Sequence, residues 1–147
     1  LQKNKVKKVL PLVSLIQSID SIDLAEKINC EAIKLQRKAN ILIEVNISRE
    51  ESKHGVFKES LNDFIKNLKD FSNLEINGLM CLAPLIEKEK TRPYFKEMKK
   101  LFDGLQKLKQ ENLNAKILSM GMSNDFDIAI EEGSTMIRIG TKLFGER

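Results

Sequence analysis

The chain has 147 residues and a net charge of +4; 41% of its residues are hydrophobic and 31% charged, enough for one domain with its own core. No run approaches the ~20 apolar residues of a membrane helix, and no long apolar stretch follows the Lys-rich start as a signal peptide would require. Cys30 and Cys81 stand far apart with no histidine nearby, so no metal site is expected, and the two are expected to be reduced core cysteines of a cytoplasmic protein.

Lys3, Lys5, Lys7 and Lys8 are the densest basic cluster. No aromatic interleaves them, so a solvated helix face is expected rather than a nucleic-acid patch. Val13 to Ile19 is apolar, bounded by Pro11 and by Ser18-Ile19-Asp20-Ser21, and reads as a strand. A helix follows over Ile22 to Lys38, with Ala25, Ile28, Ala32 and Leu35 on one stripe and Asp20 or Ser21 as its N-cap. Ile41 to Ile47 alternates: Ile41, Ile43, Val45 and Ile47 share one face, Leu42, Glu44 and Asn46 the other. Lys58 to Phe71 is helical in period through Leu61, Phe64, Ile65 and Leu68, and Ile76 to Leu82 is a strand with Gly78 inside it. Pro93 opens a helix that turns Met98, Leu101, Phe102, Leu105 and Leu108 inward. Lys116 to Met120 is a strand, Asp125 to Glu132 a short helix stopped by Gly133, and Thr135 to Gly140 the last strand.

Strands separated by helices run parallel, with right-handed crossovers. Either an open doubly wound sheet or part of an eight-stranded barrel would fit. A strand buried on both faces of an open sheet is almost continuously apolar. Glu44 and Asn46 on one face of the second strand and Arg138 in the middle of the last break that pattern, which favours an α/β barrel with a polar mouth. No composition break marks a second domain, so residues 1–147 are expected to be one portion of a single barrel domain.

The candidate site lies in the last thirty residues. The turn after Leu118, reading Ser119-Met120-Gly121-Met122-Ser123-Asn124, and the strand end Gly140-Thr141 expose backbone N–H groups with little steric cover. A helix starting at Ser123 or Asn124 would add its own free N–H groups. Together these read as a phosphate cradle, against the alternative of an ordinary tight turn. Arg138 lies opposite Ile137 and Ile139 in a period-two strand and so points inward. It is either an anion or ring-nitrogen partner or half of an ion pair with Glu44. Met120 and Met122 could line an apolar ring pocket or fill the core. Met80 through Pro84 reads as wall packing. His54 reads as a surface residue, and Lys53 as the better contact for an acidic ligand. No P-loop, dinucleotide fingerprint, zinc spacing or nucleophile elbow is present, and no catalytic residue is assigned.

Leu118-Ser-Met-Gly-Met-Ser-Asn-Asp, then Ala129-Ile-Glu-Glu-Gly-Ser-Thr-Met-Ile-Arg-Ile-Gly-Thr and Phe144-Gly, resemble the signature of the pyridoxal phosphate homeostasis proteins. These are small relatives of the alanine racemase barrel. Leu1-Gln2-Lys3-Asn4-Lys5, Gln17-Ser18-Ile19-Asp20-Ser21, Val45-Asn46-Ile47, Glu51-Ser52-Lys53-His54-Gly55 and Gly78-Leu79-Met80 fall in the family's order. The resemblance implies a TIM-type (β/α)8 barrel, of which this chain carries the last five strands, with pyridoxal 5′-phosphate (PLP) at its mouth. It implies that Arg138 faces the pyridine nitrogen. Ser119, Gly121, Ser123, Gly140 and Thr141 match the phosphate-holding segments, and Met120 lies among the candidate cofactor-binding residues. It also implies a non-catalytic cofactor carrier or regulator in intracellular PLP homeostasis, with PLP-dependent enzymes as candidate partners.

One departure stands out. The family's Schiff-base lysine precedes the Leu-Gln-x-Asn-Lys segment, and Lys3, Lys5 and Lys53 do not match it. The expectation is therefore an N-terminally truncated barrel whose partner would be the N-terminal fragment. The alternatives are a barrel enzyme acting on a phosphorylated metabolite, a PLP-dependent racemase-like enzyme, and a basic interaction module.

Overall fold

The computed structural model describes residues 1–50 and 53–145; Glu51 and Ser52 of the resemblance lie outside the described residues. A short helix α1 (Val6–Val9) precedes β1 (Ile16–Ile19), α2 (Ile22–Lys34), β2 (Ala39–Asn46), β3 (Val56–Phe57) and α3 (Leu61–Asn67). These are followed by β4 (Leu74–Cys81), α4 (Arg92–Leu105), β5 (Leu113–Met122), α5 (Phe126–Glu131), β6 (Met136–Arg138) and α6 (Thr141–Phe144). The strands form one parallel sheet in the order β1-β2-β4-β5-β6. Val45 of β2 pairs with both Cys81 of β4 and Val56 of β3, so β3 takes over the edge of β2 beyond the point where β1 ends.

The expected βα alternation is present, with shifted boundaries. Ser21 caps α2, its Oγ accepting from the Leu24 N–H at 3.4 Å. That helix stops at Lys34 rather than Lys38 because Gln36 takes a φ of +50°. Leu35, expected on the buried stripe, is therefore exposed. Residues Lys58–Ser60 form a 3-10 turn before α3, and Leu108 lies beyond α4 and is exposed. Cys81 is buried as expected, but Cys30 is exposed on α2; both are free thiols.

The core lies between the helices and one face of the sheet. Ile41, Ile43 and Val45 of β2 meet Ile28, Ile65, Phe95 and Met98 from the helices. Residues on the other sheet face, among them Leu42, Glu44 and Met80, are buried yet stand outside that cluster. In β4 the core residues change parity, from Leu74 and Ile76 to Leu79 and Cys81. The cause is a bulge: Ile41 and Leu42 of β2 oppose Ile76 and Gly78, leaving Asn77 extra. Gly78 sits in it with a φ of +148°.

The sheet curls. The Ser119 Oγ of β5 donates to Gln17 Oε1 of β1 at 2.7 Å, and Gln17 Nε2 approaches Met136 Sδ of β6 at 3.4 Å. Side chains from the two edge strands thus meet across the concave face, as in a partial barrel. Among the described residues the outer edges of β1 and β6 pair with no further strand. Open parallel edges template association, so the 147-residue chain is expected to self-associate. A concentration-independent monomer in sedimentation velocity would refute this.

Candidate functional site

Three strand ends and the turns that follow them enclose a cavity of about 530 Å³ at the C-terminal edge of the sheet. Leu82, Ala83 and Pro84 after β4 form an apolar wall, with Met122 of β5 and Lys53 from the β2–β3 connection. Ser123, Asn124, Arg138, Gly140 and Thr141 supply its polar side.

The polar side is built locally. The Asp125 carboxylate accepts from the Met122 N–H at 2.7 Å, and the Asp125 N–H donates back to the Met122 carbonyl at 3.1 Å. These two reciprocal bonds close the turn. The expected helix from Ser123 or Asn124 begins only at Phe126, because those two residues belong to that turn. Ser123 is 7% exposed, and its Oγ accepts from the N–H groups of Gly140 (3.1 Å) and Lys142 (3.3 Å). That hydroxyl ties the end of β6 to the end of β5 and keeps its own proton free to donate among the described residues. The N–H groups of Asn124 and Thr141 likewise have no partner among the described residues.

Arg138 points to the concave face, as alternation predicts. Its Nη1 donates to Ser119 Oγ at 2.7 Å and its Nη2 to the Cys81 carbonyl at 2.8 Å. Burial lowers the guanidinium's pKa from its usual value, with Cys81, Asp125 and Glu44 opposing; an arginine so placed remains a cation. The Cys81 thiol, also buried, is pushed up to about 12 and is no nucleophile at neutral pH.

Glu44 shares the concave face with Leu42 and is 7% exposed. The ion pair with Arg138 weighed from sequence does not form among the described residues; the two groups interact only at longer range. Burial, then the Asp20 charge, raises the Glu44 pKa. A carboxyl raised in the folded state holds its proton more tightly than in the unfolded chain. Its contribution is therefore present below the ordinary value of 4.5 and is lost as the pH rises through the folded value. Glu44→Gln is expected to gain stability relative to the parent as the pH climbs above that range, read as urea midpoints. Parallel pH profiles for the two proteins would refute it.

Of the residues singled out from sequence, Ser123, Arg138, Gly140 and Thr141 line the cavity together. Ser119 lies behind Arg138, fully buried. Met120 is also fully buried, but in the helix-side core; it fills the core while Met122 lines the pocket. Gly121 has a φ of +91°, and a Cβ there would stand 2.5 Å from the Ala129 Cβ, so its role is close packing of α5. His54 is an exposed surface residue. Asn124 entered from sequence only as a possible helix start, and the turn-closing role of Asp125 went unassigned, although Asp two residues after Ser is a turn signal. Gln17 entered only as part of the Gln17-Ser18-Ile19-Asp20-Ser21 resemblance, with no role assigned to it. Among the described residues no group of three His, Cys, Asp or Glu side chains could hold a metal ion, and no helix is long and apolar enough to cross a membrane.

A curled parallel βα sheet with this polar mouth defines a class: the chain belongs to the alanine racemase N-terminal domain family, whose model matches residues 2–147. Within that class it is similar to the pyridoxal phosphate homeostasis protein of Aquifex aeolicus, 45% identical over all of this chain and 64% of the relative. That of Pasteurella multocida is 37% identical, with 63% of its length covered. The chain thus spans somewhat less than two thirds of the curated relatives it matches. Among solved structures, PipY of Synechococcus elongatus with PLP bound is 33% identical with a TM-score of 0.86, covering 99% of this chain and 67% of that one. A crystal structure of an unknown protein from Bifidobacterium adolescentis is 38% identical with a TM-score of 0.92, over 98% of this chain and 58% of that one. Alanine racemase of Clostridium difficile, 19% identical, shares the fold, with a TM-score of 0.69 over all of this chain and 40% of that one.

Proposed function

We propose that the cavity holds pyridoxal 5′-phosphate and that the protein serves intracellular PLP homeostasis as a cofactor carrier in the cytoplasm, handing PLP on to dependent enzymes. The observation that carries this reading is Arg138, fixed by Ser119 and Cys81 and facing a cavity that also presents the Ser123 hydroxyl and the N–H groups of Asn124 and Thr141. A phosphate dianion needs several convergent donors and a flat ring needs an apolar wall; both are present here. Ser123, Gly140 and Thr141 would hold the phosphate. Leu82, Pro84 and Met122 would flank the ring, and Arg138 would meet its nitrogen. Ser119 positions Arg138, and Gly121 lets α5 approach.

Bound PLP supplies an aldehyde and an electron-withdrawing ring. A guanidinium donates to the ring nitrogen rather than protonating it, which weakens the ring as an electron sink. The residues of this chain favour holding over turnover. Glu44 has no partner to orient it among the described residues, the Lys53 ammonium lies 2.7 Å from Glu50, and the His54 side chain is 87% exposed. A racemase-like reaction would need a positioned base on this mouth. The names of the relatives and the PLP bound in PipY support the same reading.

Titration with PLP, followed by the change in its absorbance, tests the proposal. Ser123→Ala removes a donor and unties Gly140 from the end of β5, and is expected to weaken binding about tenfold. Binding unaltered by that change, or no PLP binding by the parent chain, would count against the site.

A further inference from the structure

Lys53, Lys88 and Arg138 line the 530 Å³ cavity, and each lies within the field of a carboxylate. The Lys53 ammonium is 2.7 Å from a Glu50 oxygen, and Lys88 pairs with Asp127. Arg138 forms no ion pair among the described residues and directs two of its donors to Ser119 and the Cys81 carbonyl. Burial lowers its pKa, and Asp125 is one of the groups that oppose this at longer range. A phosphate at this mouth would therefore be held chiefly by neutral donors: the Ser123 hydroxyl and the N–H groups of Asn124 and Thr141.

Asp125 is the acidic residue of that lining. It belongs to the turn that carries Ser123 and Asn124, and it is 9% exposed. One carboxylate oxygen accepts from the Met122 N–H at 2.7 Å. The other takes no hydrogen bond among the described residues and is not sealed from solvent. Closing the turn needs an acceptor at this position, not a charge. An asparagine oxygen or a serine hydroxyl can take the same N–H, and all three residue types are common in turns. The charge has a separate consequence. Like charges repel more strongly where protein displaces water, so a carboxylate in this turn works against any anion that the turn's own N–H groups attract.

We infer that Asp125 limits the affinity of the cavity for phosphate: the turn it closes attracts the anion, and its charge holds that attraction in check. The phosphate site itself rests on the function proposed above; what Asp125 adds to it is release. A carrier must let its cofactor go, and affinity differences within one site fall mainly in the dissociation rate. An opposing fixed charge speeds dissociation while the hydrogen bonds that shape the site stay in place.

Pyridoxine 5′-phosphate and pyridoxine differ only in the phosphate, and neither carries an aldehyde. Each is titrated calorimetrically into the 147-residue chain and into Asp125→Asn. The variant is expected to bind pyridoxine 5′-phosphate about tenfold tighter and to release it more slowly in stopped flow. Pyridoxine should be bound alike by both proteins, or by neither. Asp125→Ser, which keeps an acceptor and loses the charge, takes the place of Asp125→Asn should that protein fail to fold, with the same gain expected. A purely structural role predicts the opposite sign, because a loosened turn would weaken the phosphate contacts. Equal or weaker binding of pyridoxine 5′-phosphate by the folded variant would overturn the role of Asp125 and leave the phosphate site standing. An equal gain for pyridoxine would overturn it too, since the change would then lie at the ring. Binding of the phosphate ester by neither parent nor variant would sink the phosphate site and the role of Asp125 with it.

Discussion

Arg138→Ala is expected to lower PLP affinity by about a hundredfold and to cost about 1–3 kcal/mol of stability. The stability loss has a specific origin. The guanidinium joins the Cys81 carbonyl of β4 to the Ser119 hydroxyl of β5, and Ser119 in turn donates to Gln17 of β1. Truncation removes both charge-assisted bonds and leaves the carbonyl without that donor. The affinity loss is larger because the cleft also loses the oriented guanidinium that would meet the ring nitrogen, a donor geometry that charge alone does not replace. Arg138→Lys separates the two effects: an ammonium can reach one acceptor and keep the charge, but it cannot reproduce the planar fork. It should recover part of the stability and little of the affinity. Urea unfolding and PLP titration on the same samples decide the matter. An Arg138→Ala protein that binds PLP as the parent does would remove this residue from the site.

Gly78→Ala is expected to be the most damaging small substitution in the chain, costing about 4 kcal/mol or more. A Cβ there would stand 1.8 Å from the Ile117 carbonyl oxygen of β5, and the residue's φ is +148°. The clash is with backbone in the middle of the sheet, so no side-chain rotation relieves it. Moving β5 away would break the β4–β5 ladder that leads to Ser119. Gly104→Ala is the matched control. That glycine lies in α4 with nothing within 4 Å of an added Cβ, and alanine there should stabilise by up to about 1 kcal/mol. Soluble expression and the urea midpoint of each variant measure the contrast. A Gly78→Ala protein as stable as the parent would mean that the bulge is not constrained as described.

The bulges also explain how far sequence reasoning reached. Element types and their order were legible because each helix carries a one-sided stripe and each strand a run of β-branched or apolar residues. The inward direction of Arg138 and Glu44 was legible from strict alternation around Ile137 and Ile43. Parity along β4 was not, since Asn77 is an extra residue that shifts the core set from Ile76 to Leu79. A period-two count has no means of finding such an insertion. Met120 and Met122 illustrate the same limit: one fills the core, the other faces the cleft, and composition alone makes them a pair. β3 has only two residues and no pattern of its own; it exists because β2 outruns β1. Ser123 was legible as a phosphate candidate. Its grip on Gly140 and Lys142 depends on two strand ends lying side by side, which only the fold supplies.

The contact between Gln17 and Ser119 spans 102 positions of sequence, and that between Gln17 and Met136 spans 119. Closing loops of that length takes chain entropy that no local turn offsets, and a sheet made wholly of crossover connections has high contact order. The concave wall should therefore form late and as a unit, with no partly folded species able to present Arg138 correctly. It follows that a ligand held by this wall reads out the whole fold. Each tenfold excess of ligand over its dissociation constant should add about 1.4 kcal/mol to global unfolding rather than to the opening of one loop. Amide exchange would display that gain evenly, along β1 as strongly as along β6.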